Sequence, residues 1–334
     1  MRSKDNPPGV GIRRRRHPLA SGDSAFRGLA WLAGFTVVVV LAGMGLFLFS
    51  QALPAIRQYG FFSFLHVRWA PSEALASQSH PNPYGILQFI YGTLVSAAIA
   101  MVMAVPVGVG VALFITQVAP ARLKKPLISL TELLAAVPSV VYGFWAIFAL
   151  LPALRGPVHL LESSLGRVPG VGVLFRGPYF GFSIIAAAMV LSIMILPIIT
   201  AIVREVFETV PRDHKEAALA LGATRWEMIR TAVLPYSRKG ILAGAFLGLG
   251  RALGETIAVT MVIGNDVSRI AKSLLGQGST LASVIANEFT EANRPFHLPS
   301  LFVVAFWLLV ITLIVNAGAR LIVERRPQAR AGRR

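Results

Sequence analysis

The stretch Val210-Pro211-Arg212-Asp213-His214-Lys215-Glu216-Ala217-Ala218-Leu219-Ala220-Leu221-Gly222-Ala223-Thr224-Arg225-Trp226-Glu227-Met228-Ile229-Arg230-Thr231-Ala232-Val233-Leu234-Pro235 decides how the rest of the chain is read. It is a polar island between two apolar runs. Asp213 with Glu216 and Thr224 with Glu227 have the spacing of capping boxes, which predicts two short helices. Gly222 between them suits the left-handed residue that closes a helix, and Pro235 is expected to stop the second one. A DNA-reading helix-turn-helix has this outline, but a segment tethered at both ends by apolar spans cannot easily lie in a major groove. A plain solvated connector is also a poor account, because Leu219, Leu221, Trp226, Met228 and Ile229 are costly without a partner surface. A docking element is the better reading.

Working outward, a bilayer core about 30 Å thick needs roughly 20 apolar residues in helix. Six segments qualify: 29–49, 86–115, 127–151, 182–203, 241–264 and 301–323. Composition agrees, with 55% hydrophobic and 14% charged residues against about 25% charged in soluble domains. Pro106, Pro138 and Pro197 lie inside spans, where partner helices and water can satisfy the freed carbonyls; each predicts a kink. Lys and Arg set the orientation. The segment before the first span, the loops after the second and fourth, and the C-terminal tail carry 23 of them, and the other three loops carry eight. The positive-inside rule then places both termini in the cytoplasm.

This division gives a basic disordered tail over 1–26, an anchor helix over 27–50, an extracytoplasmic loop over 51–85, a transmembrane domain over 86–323 with its docking loop at 205–239, and a second basic tail over 324–334. The first span follows four arginines at 13–16, as a signal peptide would. Its apolar run exceeds the usual 7–15 residues or so, and no convincing A-x-A site follows, so it reads as a retained anchor. The 161–172 stretch is expected to be either re-entrant or a surface helix.

Several functions are excluded. With no cysteine there are no disulfides and no thiolate chemistry. The six histidines are scattered without metal-ligand spacing. A net charge of +17 raises nucleic acid as a partner, but the charge clusters beside apolar spans and does not form a binding stripe. There is no G-x-x-x-x-G-K-[ST], so any nucleotide hydrolysis belongs to another subunit. Gly276-Gln277-Gly278-Ser279-Thr280 lacks a lysine and reads as a loop.

A second signal lies inside the fifth span, Gly248-Leu249-Gly250-Arg251-Ala252-Leu253-Gly254-Glu255-Thr256. A separation of four places Arg251 and Glu255 on one helical face. Gly240, Gly244 and Gly248 form a small-residue stripe that lets another helix approach closely. An arginine at membrane depth costs about 2.5–3.5 kcal/mol on insertion scales, so it needs a reason. One reason is a neutralising pair that locks the bundle. The other is a transit site for an anion, since a guanidinium offers a planar fork of donors that matches oxyanions.

These motifs resemble a known family. Glu216-Ala217-Ala218, Gly222 and Leu234-Pro235 are similar to the EAA motif of binding-protein-dependent ABC importers, with Ala232 where the pattern usually has Ile. The span-five segment Gly250-Arg251-Ala252-Leu253-Gly254-Glu255-Thr256 resembles the signature of phosphate-specific importer permeases, and Val210-Pro211 through Pro235, with Tyr236 and Ser237, resembles the PstC-type subunit more than its PstA-type partner. Leu133-Leu134-Ala135-Ala136-Val137-Pro138-Ser139-Val140-Val141-Tyr142-Gly143 is similar to a further family segment. The resemblance covers roughly 84–323. It implies an all-α membrane protein with six transmembrane helices in the type I ABC importer permease fold. It implies a docking helix shaped by Glu216, Ala217, Ala218 and Gly222, and a substrate path through Arg251 and Glu255, with Ser139 and Tyr142 as weaker path residues. It also implies a PstA-type permease partner, a PstB-type ATPase dimer that uses ATP and Mg, and a PstS-type phosphate-binding protein that would dock on the loops at 51–85, 152–181 and 265–297. This chain itself would bind no cofactor. The same machine with another cargo (sulfate, molybdate, amino acid or peptide) is the first alternative. A secondary transporter or channel is the second, and it would need no docking loop and should show inverted repeats. A membrane-embedded enzyme has no nucleophile–base or metal constellation behind it.

Overall fold

A long apolar run in lipid has no hydrogen-bond partner for its backbone except itself, so it becomes helix. The computed structural model describes residues 20–72, 82–177 and 179–324. Among these residues there is no strand, only isolated bridges pairing Trp69 with Tyr84 and Gly264 with Gly278. Residues 1–19 of the expected first tail and 325–334 of the second lie outside the described residues.

The chain divides into two units, Met1–Phe47 and Leu48–Arg334. The described part of the first unit is the N-terminal portion of α1 (Ala20–Tyr59). This helix starts inside the stretch expected to be a tail. The second unit holds the end of α1 and then α2 (Leu87–Leu113), α3 (Ala121–Ala136), α4 (Ser139–Trp145), α5 (Leu151–Leu165), α6 (Ile184–Glu208), α7 (Arg212–Ala220), α8 (Arg225–Met228), α9 (Leu234–Gly254), α10 (Ile257–Val262), α11 (Leu281–Glu288) and α12 (His297–Glu324).

Among the described residues, five stretches are continuous and apolar enough to cross a bilayer: Ala25–Tyr59, Leu87–Val118, Ser139–Leu165, Ile184–Glu208 and His297–Leu321. The expected fifth span, 241–264, is two helices. It breaks at Glu255, whose ψ is 126°. Local side-chain bonds compete with the helix there: the Ala258 amide donates to Glu255 Oε1 at 3.4 Å and the Thr256 hydroxyl to the Gly254 carbonyl at 3.3 Å. Span three is also displaced from its expected 127–151. Pro138 drives Val137 to an extended ψ of 129°, so α3 ends and the crossing starts at Ser139. It runs on through α5, so the 152–181 loop is helical up to Leu165. The 161–172 stretch is the end of that helix, a turn and the start of the 3-10 segment Val171–Phe175.

Prolines are handled in several ways. Pro106 and Pro197, like Pro54, Pro126 and Pro157, sit inside helices, and Pro138 follows the end of α3. At three further places a π-helical turn precedes the proline. Phe114–Val118, Ala146–Leu150 and Ile229–Val233 each end two residues before a proline: Pro120, Pro152 and Pro235. The wider turn reorganises the carbonyls that a proline ring would otherwise strike. Pro235 therefore does not stop the helix as expected; it lies in the first turn of α9.

Helix α6 is the centre of the second unit. Its crossing window is 67% buried, against 28% for Leu87–Val118 and 22% for His297–Leu321. Lipid supplies no hydrophobic drive between helices, so close approach at small residues does the packing. A Cβ on Gly108 of α2 would stand 3.0 Å from Ile199, and one on Gly248 of α9 would stand 2.9 Å from it. One on Gly240 would strike Val206. The predicted glycine stripe is thus the contact of α9 with α6.

The described parts of the 51–85 region pack into a core. Phe64, Trp69 and Tyr84 are buried with Ala52 and Ala55 of α1 and Leu301 and Val304 of α12. The Trp69 indole donates to both Glu288 carboxylate oxygens at 2.9 and 2.8 Å, and His297 Nε2 lies 2.8 Å from Glu288 Oε2.

Candidate functional site

The loop between α6 and α9 folds as helix, turn and helix. The first capping box does not form. The N-cap is Pro211, whose preset φ of −55° admits the chain to α7 two residues early, and Asp213 falls in the first turn. At the other end the Ala223 amide donates to the Ala218 carbonyl at 3.2 Å and the Gly222 amide to the Leu219 carbonyl at 2.9 Å. That is the Schellman pattern, with Gly222 at φ +85° as its left-handed residue. The second box is present: the Glu227 amide donates to the Thr224 hydroxyl, and the Glu227 carboxylate accepts from the Thr224 amide. Those bonds hold the Glu227 carboxyl below the usual carboxylate range.

Helix α7 has no buried residue. Glu216 and Ala217 are exposed, and half-buried Ala218 rests against the core. Of the five apolar residues that argued for a partner, Met228 and Ile229 are buried at 7% and 6% exposure by the chain itself. Leu219, Leu221 and Trp226 remain 44%, 89% and 62% exposed. Each such side chain gains about 1.5–3 kcal/mol on full burial, so the helix–turn–helix keeps an apolar edge for a partner. Burial pulls the Lys215 ammonium below its usual value, and the charges of Lys124 and Arg212 add to the shift. The basic loops after α2 and α6 therefore meet at one end.

The second constellation sits where two interrupted helices touch. A Cβ on Gly143 of α4 would be 3.3 Å from Ala258 Cα of α10 and would strike Met261. Tyr142 is buried, and its hydroxyl donates to the Leu134 carbonyl at 2.8 Å, which ties α4 to the end of α3 across the Pro138 break. Half-buried Ser139 opens α4. The chain leaves the helix at Gly254, so Glu255 does not continue the face of Arg251 as its spacing implied. Its carboxylate turns to α10, accepting from the Ala258 amide. Among the described residues Arg251 and Glu255 form no ion pair. Arg251 is exposed and lines a cavity of ≈ 730 Å³ between α6, α9 and α12. Its donors are free to take an oxyanion.

Sequence reasoning passed over two further residues of that cavity, Asn316 and Arg320. The available signal was an amide and a cation inside an otherwise apolar run. It also missed Arg204, whose largely buried guanidinium lies 3.7 Å from Glu132 and 3.8 Å from Glu208.

Residues 104–327 match the family described as "Binding-protein-dependent transport system inner membrane component". The chain is 42% identical to "Phosphate transport system permease protein PstC" of Mesorhizobium japonicum, over 91% of this chain and 90% of that one. It is 43% identical to the protein of the same name from Xylella fastidiosa, over 92% of each. Identity to "Phosphate transport system permease protein PstC 2" of Mycobacterium tuberculosis is 40%, over 91% and 93%. Among solved structures, a bacterial alginate ABC transporter in complex with alginate pentasaccharide-bound periplasmic protein aligns with a TM-score of 0.56 at 14% identity, covering 92% of this chain and 97% of that one. An inward-facing MetNI methionine ABC transporter aligns at 0.51 and 19% identity, over 72% and 93%. At these identities the two structures speak for the fold alone.

Proposed function

Since the chain belongs to the family of binding-protein-dependent transport system inner membrane components, we propose that it forms half the pore of an ATP-driven importer that carries inorganic phosphate across the cytoplasmic membrane. The observation that carries this reading is 42% identity over 91% of the chain to a relative named for phosphate transport. An arginine that lines a cavity inside an apolar run, with no ion pair among the described residues, supports the same cargo.

In this reading the pore works by alternating access. The Arg251 fork receives the oxyanion through charge-assisted hydrogen bonds. Glu255, at the helix break, sets the edge of the path. Ser139 begins the neighbouring half-helix, and Tyr142 holds that break in shape. Energy enters through α7, where Glu216, Ala217, Ala218 and Gly222 shape a knob that sits in a groove of a separate ATPase. ATP and Mg belong to that subunit, because this chain has no phosphate-binding loop. The pore is completed by a PstA-type permease, the ATPase is a PstB-type dimer, and a PstS-type protein delivers phosphate outside. Meeting of the basic loops at one end supports a cytoplasmic location for that end and for both termini.

The test is uptake of labelled phosphate by cells that depend on this permease. Clean deletion should abolish uptake, and re-expression should restore it. Undiminished uptake after deletion, with no duplicate system present, removes the phosphate assignment.

A further inference from the structure

The cavity that receives Arg251 also receives Asn316 and Arg320 of α12; Gly250 and Phe246 of α9 and Ile198 of α6 complete its wall. Between His297 and Glu324, Asn316 is the one amide and Arg320 the one charged side chain. Their separation of four places them on one helical face, with about 6 Å of rise between them. A Cβ on Gly250 would stand 3.9 Å from both the Nδ2 and the Oδ1 of Asn316, so the glycine leaves this amide uncovered beside α9. Among the described residues, Arg251 has no carboxylate at ion-pair distance. Two guanidinium groups and an amide lining one cavity make a site for a doubly or singly charged oxyanion.

Direction follows from topology. Successive spans run in opposite senses, so Arg320, one turn beyond Asn316 on α12, lies nearer the α7–α8 end than Arg251 does. We infer that Asn316 and Arg320 form the inward release site for the transported oxyanion. The ion leaves the Arg251 fork, accepts a hydrogen bond from the Asn316 amide and passes to Arg320 before it exits beside the docking loop. This rests on the reading that Arg251 handles a phosphate-type oxyanion. A cation near a helix end also serves as a topological anchor, but that role is filled equally well by lysine and gives no reason for Asn316. A phospholipid headgroup presents the same chemistry, and the experiment separates the two sources.

The assembled transport complex in vesicles of zwitterionic lipid is the system to use. The chain has no cysteine, so Asn316→Cys gives it a single thiol, whose modification by an anionic methanethiosulfonate is followed by the mass of this chain. Inorganic phosphate, at constant ionic strength, should slow the modification by about threefold at two-thirds occupancy. Arg320→Lys, which keeps the charge and the anchor, should lower phosphate uptake about tenfold, the loss expected for one charge-assisted hydrogen bond. Arg251→Ala, run in parallel, should lose uptake. If Arg251→Ala is inactive while phosphate gives no protection and Arg320→Lys transports at the wild-type rate, the release site is wrong and the Arg251 reading stands. Protection that follows the anionic phospholipid content of the vesicles, and not added phosphate, makes the cavity a headgroup site and overturns the proposal. Normal transport by Arg251→Ala removes the reading and the release site together.

Discussion

Arg251 carries the account at the scale of a single residue. Its guanidinium lines an open cavity and has no ionic partner among the described residues, so its removal uncovers no buried carboxylate. Arg251→Ala should therefore lower phosphate uptake roughly 10- to 100-fold, the equivalent of a lost charge-assisted contact of about 1.5–3 kcal/mol, with the complex still purifying intact. Collapse of assembly in that variant would instead make the arginine a lock. Glu288 makes the opposite prediction. It accepts two bonds from Trp69 and faces His297, so Glu288→Ala should destabilise the chain by about 1–3 kcal/mol, read as a lowered Tm in detergent. An unchanged Tm would mean that water replaces those bonds. The two residues were not equally legible. A charge inside an apolar run announces itself, whereas Glu288 and Trp69 are 219 residues apart and nothing in either neighbourhood points to the other.

Among the elements, the α7–α8 hairpin is held by one Schellman turn and one capping box, and it leaves an apolar edge outside. Gly222 has φ +85°, a region that costs an L-residue roughly 1–2 kcal/mol and a β-branched one more. Gly222→Val should detach or uncouple the ATPase, measured by copurification and by transport. Wild-type values for both would remove the hairpin from the coupling role. Leu221 is 89% exposed, so Leu221→Glu should weaken ATPase association without moving the Tm of the isolated chain. A drop in Tm would show that Leu221 packs within its own chain. The hairpin's outline was readable because capping and glycine chemistry are local. Its exact start was not, because Pro211 and Asp213 both make acceptable openings. The passage through Pro235 was also hidden, since a π-helical turn depends on backbone room supplied by neighbouring helices.

For the molecule as a whole, hydropathy located the crossings but not their continuity. Five are unbroken. The fifth in order divides at Glu255 and the third starts at Ser139, because a few local hydrogen bonds and one proline outweigh apolar periodicity there. Both interruptions meet where α4 packs on α10, next to the helix that carries Arg251. Which helix would be central was also beyond the sequence; α6 takes that place because glycines on α2 and α9 let both approach it. The central claim is that this arrangement carries phosphate and draws its energy from a separate ATPase. Its most direct test is transport in vesicles reconstituted with this chain, its permease partner, the ATPase and the binding protein, with phosphate compared against sulfate. The account predicts ATP-dependent accumulation of phosphate but not sulfate, lost in Arg251→Ala. Accumulation of phosphate without the ATPase, or equal transport of sulfate, would contradict it.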